Sequence, residues 1–433
     1  MLKHQLNKLE SGLEVIRIPI DTLPSVTVLI LGNTGSRYET AVEQGLAHFF
    51  EHMVFKGTKK FPSAKTISEL IDGVGAESNA FTSKEFTGYY IKVKSDHIQL
   101  ALDILSDMLL APKLDESEIK KEKGVIIEEM NMYLDTPMRD IGNLFDQLVF
   151  VDRSIGHDVI GTKQTVSGMS KQNFINFLDK WYGLANLTLV LAGDARVLNQ
   201  AHLLDGIDKL FTSKLTGADR VKKRVKIGDL LGPAPLRRRR LIIRKQRTKQ
   251  VHLMLGWPGI ARNDKRHYAM SILANILGGN MSSRLFSEVR EKRGLCYYVN
   301  SSPDYYHDTG TLTVAAGVDP QRVHEALSVI IDECEKLASG KEPLSEKEMT
   351  KAKENLVGNM ALSFEDSMAV AQFFGLKQVL TQKIETPEEV MNQVRGVTLE
   401  SVQALAKEII RQPQLRLAVI GPFTEAEFKR YVE

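Results

Sequence analysis

Two of the ten histidines in this 433-residue chain stand four positions apart with a glutamate between them, in the run His48-Phe49-Phe50-Glu51-His52. Residues four apart stack on one face of a helix, so both imidazoles can reach one ion while Glu51 projects beside it. Neutral imidazole nitrogen suits zinc, and a catalytic zinc keeps one coordination position for water. The metal lowers the pKa of that water, and an adjacent carboxylate can take its proton. This inverted zincin spacing assigns His48 and His52 as ligands and Glu51 as general base. A site of this type needs a third protein ligand. The candidates are Glu118, Glu122, Glu128 and Glu129, in one acidic stretch. Glu122 and Glu129 are seven apart and share a helical face two turns from each other, so one can ligate while the other orients a ligand. Periodicity leaves Glu128 against Glu129 open. Glu118 and Glu128 read as solvated charges.

The elements that must position these groups follow from hydrophobic patterning. Residues 42–55 read as a helix with two stripes: Leu46, Phe49, Phe50 and Met53 toward a core, and His48, Glu51, His52 and Phe55 about half a turn away. Stretches 13–20 and 26–31 are rich in β-branched residues and read as strands. Residues 64–72, 96–110 and 117–134 read as helices, and 77–83 with 86–94 as a strand pair. Strands and helices mix without strict alternation, which predicts an α+β domain.

The chain also repeats itself. Residues 114–130 (LDESEIKKEKGVIIEEM) match 344–360 (LSEKEMTKAKENLVGNM), and 166–182 match 394–410; strand-like segments ending in glycine follow at 187–193 and 415–421. The offset stays at 228–230 through all three elements. Subtracting 230 sets Gly278-Gly279-Asn280-Met281-Ser282 opposite the histidine motif and Asn359 opposite Glu129. The second half therefore keeps the scaffold without the ligands. The expected division is a zinc-binding catalytic domain at 1–214, a Gly- and Pro-containing linker at 215–240, and a homologous inactive domain at 241–433.

Composition excludes several function classes. With 43% hydrophobic residues the chain can bury more than one core, and a net charge of +3 points to neither nucleic acid nor an anionic membrane. The basic run 237–240 reads as a solvated surface segment. Cys296 and Cys334 have no disulfide-framework or zinc-knuckle spacing. No apolar leader and no run of 18 apolar residues is present, so the expected location is cytoplasmic.

The inverted motif, the acidic helix, the repeated halves and the segment Ser78-Asn79-Ala80-Phe81-Thr82-Ser83 together resemble the pitrilysin or M16 family of zinc metallopeptidases. That family includes insulin-degrading enzyme, the mitochondrial processing peptidase, whose beta subunit is related, and small bacterial processing proteases. The resemblance covers essentially the whole chain. It implies two homologous α/β sandwich-like domains in tandem, each a mixed sheet packed with helices, of the LuxS/metallohydrolase type. It places the third zinc ligand at Glu129, 77 residues beyond His52, and a supporting acid at Glu122. Asn79 and Ala80 match a strand edge that pairs with substrate backbone. Arg290 and Tyr297 match a pair that engages substrate and stabilises the tetrahedral intermediate, both being donors suited to a developing oxyanion. Without the resemblance, Arg290 reads as a surface charge on a helix over 281–293, and Tyr297 as a core aromatic. The implied activity is zinc endopeptidase, with one Zn2+ per chain and short or unfolded peptides cleaved inside a clamshell chamber. The implied assembly is a homodimer, or a heterodimer with a paralogous subunit. The rival reading is a non-catalytic scaffold subunit of such a complex.

Overall fold

The computed structural model describes residues 2–151, 153–215 and 239–433. Most of the expected linker 215–240, and Arg237 and Arg238 of the basic run, lie outside the described residues. Eleven strands are present among those described: β1 (Gln5–Lys8), β2 (Glu14–Ile20), β3 (Ser25–Gly32), β4 (Glu77–Thr82), β5 (Thr87–Lys94), β6 (Leu187–Asp194), β7 (Leu241–Lys245), β8 (Val251–Pro258), β9 (Cys296–Tyr305), β10 (Gly310–Val318) and β11 (Arg416–Gly421). They form two mixed sheets, and the chain packs as two units around them.

The first unit comprises residues 2–131, 157–215 and 362–387 among those described. Its six-stranded sheet runs β1-β2-β6-β3-β5-β4, parallel only between β2 and β6. β3 and β6 are apolar almost throughout and buried on both faces, as central strands covered twice must be. One face carries Ile16, Ile18, Leu29, Leu31 and Val190. It is covered by Val370, Phe374 and Val379 of the helix Ser367–Thr381. Gly375 of that helix lets it approach closely, because a Cβ there would stand 2.6 Å from Leu31. Emptying the Phe374 site would cost about 3–5 kcal/mol on the usual scale for a buried aromatic.

The second unit comprises 132–151, 153–156, 239–361 and 388–433. Its sheet runs β7-β11-β8-β10-β9, with β7 and β11 parallel. This order matches β2-β6-β3-β5-β4 strand for strand, so the repeat in the sequence is a repeat of topology. The strand β1 was not expected; it is a short edge addition that the second sheet lacks.

Helices α1 (Leu46–Val54), α2 (Ala64–Asp72), α3 (Ile98–Leu110), α4 (Glu116–Leu134) and α5 (Pro137–Val149) follow in the first half of the chain. The packed units differ from a contiguous split at 1–214 and 241–433, because α5 belongs to the second unit and Ser367–Thr381 to the first. The reason is burial: Ile141, Leu144 and Phe145 of α5 pack on Ala418 and Ile420 of β11. The two helices begin 230 positions apart and so are repeat equivalents, each serving the sheet built mainly from the other half.

The histidine-bearing helix α1 starts at Leu46, four residues later than its apolar pattern suggested. Gly45 is left-handed (φ +89°), and a Cβ there would stand 2.5 Å from the Ile160 carbonyl oxygen, so the helix cannot extend backwards through it. Its N-terminus is held by the buried carboxylate of Glu39, which accepts from Gly45 N–H at 2.8 Å and Ala47 N–H at 2.7 Å. The loop before it is tied to the β4–β5 turn by Arg37 N–H to the Lys84 carbonyl (2.9 Å) and by a buried Arg37–Glu85 ion pair (2.7 Å). These ties set α1 against β4. Among the described residues no helix is long and apolar enough to cross a membrane.

Burial pushes the Glu39 carboxyl up to about 8, against the N–H bonds of Ala47 and Gly45 that favour its ionised form. Between its ordinary value of 4.5 and about 8, the unfolded chain has released a proton that the folded protein keeps, so Glu39 makes stability fall as pH rises. Glu39→Gln removes that titration. The expected result is a variant-minus-wild-type urea midpoint that shifts in the variant's favour between pH 5 and pH 8.5.

Candidate metal centre

The two stripes of α1 are separated as their spacing requires. Leu46, Phe49, Phe50 and Met53 are buried, with Phe49 edge-on to Phe174 and Phe50 against Tyr182 at ring-centroid distances of 4.8 and 4.5 Å. On the other side the His48 and His52 rings lie 4.6 Å apart. α4 crosses them and brings Glu129. The ligand atoms of His48, His52 and Glu129 all lie within 4.8 Å of one another. Glu128 is exposed and lies outside this cluster. Glu118 pairs with Lys121 at the surface.

The three groups fit a zinc ion. Glu129 Oε2 is 3.8 Å from His48 Nε2 and 3.6 Å from His52 Nε2, too long for hydrogen bonds. Tetrahedral zinc with bonds of about 2.0–2.2 Å holds its ligands roughly 3.3–3.6 Å apart, close to these separations. Burial, with the His52 ring beside it, pushes His48 down to about 3, so its imidazole is neutral and keeps a lone pair to donate. Its Nδ1 is buried with no hydrogen-bond partner among the described residues, so the ring's one polar engagement is through Nε2.

His52 is oriented from behind. Its Nδ1 lies 2.9 Å from Glu122 Oε1, and Lys56 Nζ lies 2.6 Å from Glu122 Oε2. Burial alone would raise the Glu122 carboxyl. Hydrogen bonds from His52 and Lys56, with the lysine's charge, outweigh it and hold the group below its usual range. An ionised Glu122 is acceptor-only, so His52 Nδ1 carries the hydrogen and Nε2 is free to ligate.

Glu51 projects beside the ligands and accepts from Thr82 Oγ1 at 2.5 Å. Burial raises its pKa, partly opposed by the Thr82 bond and by His52, while Glu129 adds to the rise. Thr82 ends β4, the outer strand of the first sheet, so the carboxylate is tied to a sheet edge. Asn79 and Ala80 lie on that strand, opposite Tyr90 and Tyr89 of β5. The Ala80 N–H is taken by the carboxamide oxygen of Asn79 at 2.8 Å and not by β5, so it faces the open side.

In the second unit, Arg290 and Tyr297 meet through irregular backbone. The expected helix over 281–293 is instead a π-helical turn, Phe286–Glu291, and Arg290 lies within it. Its guanidinium stands 4.8 Å from the Phe286 ring centroid and 5.7 Å from that of Tyr297. Tyr297 is no core aromatic: it is 72% exposed. Pairing of β9 with β10 skips from Tyr298 to Cys296, so Tyr297 is the extra residue of a β-bulge that re-aims its side chain.

The assignment of 278–282 as the counterpart of the histidine motif needs correction. β8 starts 226 positions after β3, and β10 starts 223 after β5, so α1 falls opposite the helix His267–Gly278. The offset of 230 holds only from α4 onward, whose counterpart is Glu346–Ser363. The conclusion survives, since residues 271–278 contain no histidine or carboxylate. Asparagines meet there instead: Asn275 donates to the Asn355 carboxamide oxygen at 2.8 Å, and Asn359 donates to the same oxygen at 3.3 Å.

Three residues at the metal centre went unassigned in sequence. Thr82 was inside the 78–83 segment but had no role. Lys56 lies four residues after His52, a spacing that could have suggested it. Nothing local marks Glu39 as a helix cap, because it stands outside the capping positions.

A fold of two topologically equal units, one carrying a His-x-x-Glu-His metal centre and one without ligands, defines a class, and the chain belongs to it: peptidase family M16. Residues 16–149 match the family model described as insulinase (peptidase family M16), and residues 168–356 match the peptidase M16 inactive domain. The chain is 35% identical over 416 residues to an uncharacterized zinc protease of Bacillus subtilis, covering 94% of this chain and 96% of that one. It is 36% identical over 425 residues to an uncharacterized zinc protease of Streptomyces coelicolor, covering 96% and 89%. A crystal structure of a protease from Helicobacter pylori shares the fold with a TM-score of 0.85 at 22% identity, over 98% of this chain and 100% of that one.

Removing an outer partner of a metal-bound histidine typically weakens metal binding 10–100-fold. Glu122→Gln is expected to raise the zinc Kd by about that factor, measured by competition with a chromophoric chelator, with little change in circular dichroism.

Proposed function

We propose that the chain is a zinc metalloendopeptidase that cleaves extended peptides laid along β4. The observation that carries this reading is the bond from Thr82 to Glu51, which couples the sheet edge to the carboxylate beside three convergent metal-ligand atoms. A strand edge recognises only a backbone whose own N–H and C=O groups are free, so folded proteins are poor substrates and short or unfolded peptides good ones. Ala80 N–H is one group such a backbone would engage, displacing the Asn79 carboxamide from it.

In this reading His48, His52 and Glu129 hold one zinc ion per chain, with Glu122 orienting His52. Zinc there would supply a Lewis acid for the scissile carbonyl and lower the pKa of a water molecule. Glu51 takes the proton from the attacking water and passes it to the leaving amine; its raised pKa suits it to both tasks. Asn79 and Ala80 hold the substrate backbone. Arg290 and Tyr297 are donors for substrate carbonyl oxygens and for the oxyanion as it develops. The working assembly is a homodimer with peptide substrates as its other partners, without nucleic acid or membrane.

Glu51→Gln separates an endopeptidase from a metal-binding scaffold. The variant is expected to retain one zinc per chain by metal analysis and to cleave an unstructured fluorogenic peptide about 10²–10⁴-fold more slowly. Zinc-loaded Glu51→Gln protein that cleaves at the wild-type rate would overturn the reading.

A further inference from the structure

Lys56 has no part in the reaction as described, yet it is built into the metal centre. It lies two residues beyond the end of α1, with its N–H donating to the Met53 carbonyl at 3.1 Å, and its ammonium turns inward across α4. The group it meets, Glu122, is almost wholly buried, whereas Lys56 keeps about a quarter of its side chain in solvent. The ammonium at 2.6 Å and His52 Nδ1 at 2.9 Å take one Glu122 oxygen each. The result is a linear relay, Lys56 to Glu122 to His52.

Geometry gives this relay a purpose. Each Glu122 oxygen has its own partner, so the ammonium that takes Oε2 holds the buried carboxylate with Oε1 turned to His52 Nδ1. A solvated lysine tying two helices together would need neither the buried carboxylate nor the contact with the oxygen opposite His52.

We infer that Lys56 is a positioning residue for zinc: its ammonium holds Glu122 Oε2, which keeps Oε1 on His52 Nδ1 and leaves Nε2 as the ligand atom. The inference rests on reading His48, His52 and Glu129 as the zinc ligands. It predicts that Lys56 acts on metal affinity through Glu122 and through no other contact.

A double-mutant cycle on the full-length chain tests this, with zinc Kd from chelator competition as the readout and circular dichroism as the check on folding. Lys56→Met is expected to weaken zinc binding about 10–100-fold. Lys56→Arg, which keeps the charge and the donors, is expected to stay within about threefold of wild type. In a Glu122→Gln background, Lys56→Met is expected to add less than about twofold, because its target is gone. A Lys56→Met protein that binds zinc like wild type would refute the inference, as would equal losses in both backgrounds. So would Lys56→Arg that folds but binds as poorly as Lys56→Met. If wild type itself fails to bind zinc, the ligand assignment fails, and that result is distinct from each of these.

Discussion

The two stripes of α1 share one rotation about the helix axis, and everything at the metal centre depends on it. Phe49 and Phe50 are locked against Phe174 and Tyr182, and burying each such side chain stabilises by roughly 2–3 kcal/mol. A turn of the helix by one residue would draw both aromatics out of the core and carry His48 and His52 away from α4. Core packing therefore sets the ligand geometry without touching the ligands. Glu39 and Gly45 fix the remaining freedom, the position of the helix along its axis, by ending it at a defined residue. Burial pushes His48 toward its neutral form, while the bonds from His52 and Lys56 hold Glu122 low against the same burial.

Most of this was legible in the sequence where it is periodic. The stripes of α1, the seven-residue step from Glu122 to Glu129 and the repeated helices all follow from 3.6 residues per turn. The strand pair expected at 77–83 and 86–94 is β4 and β5, each one residue shorter. Legibility ended where backbone departs from period. Residues 42–45 were read into the helix, but the left-handed Gly45 stands before its start. Arg290 was assigned to a regular helix and occupies a π-helical turn, and Tyr297 stands at a bulge that no composition signals. Glu128 and Glu129 could not be told apart by spacing alone, because the choice depends on how α4 is rotated over α1. The equivalence drawn at a constant 230 failed for a related reason: the start of β10 precedes the start of Glu346–Ser363 by 36 positions, against 29 from β5 to α4, while strand order is unchanged.

The irregular positions carry chemistry in both units. β4 and β9 are outer strands, and each has an unusual feature at its end: Thr82 reaches back to Glu51, and Tyr297 bulges outward. Strand edges tolerate such departures because one side has no ladder to preserve. The second unit kept this architecture while carboxylates and imidazoles gave way to asparagines, which satisfy one another through neutral amides. A polar network of that kind asks for no ion.

The exchange of α5 and Ser367–Thr381 between the units imposes an order on biosynthesis. A ribosome completes β1 to β6 when it has made fewer than half of the residues, yet the helix that covers Leu29, Leu31 and Val190 is then still about 170 codons away. The second sheet has no such wait, since α5 is already in place before β7 emerges. The nascent chain thus carries an apolar sheet face through much of its translation, the kind of surface that recruits chaperones. A gene split between the two repeats would make that interval permanent, which gives selection a physical reason to keep the halves in one reading frame.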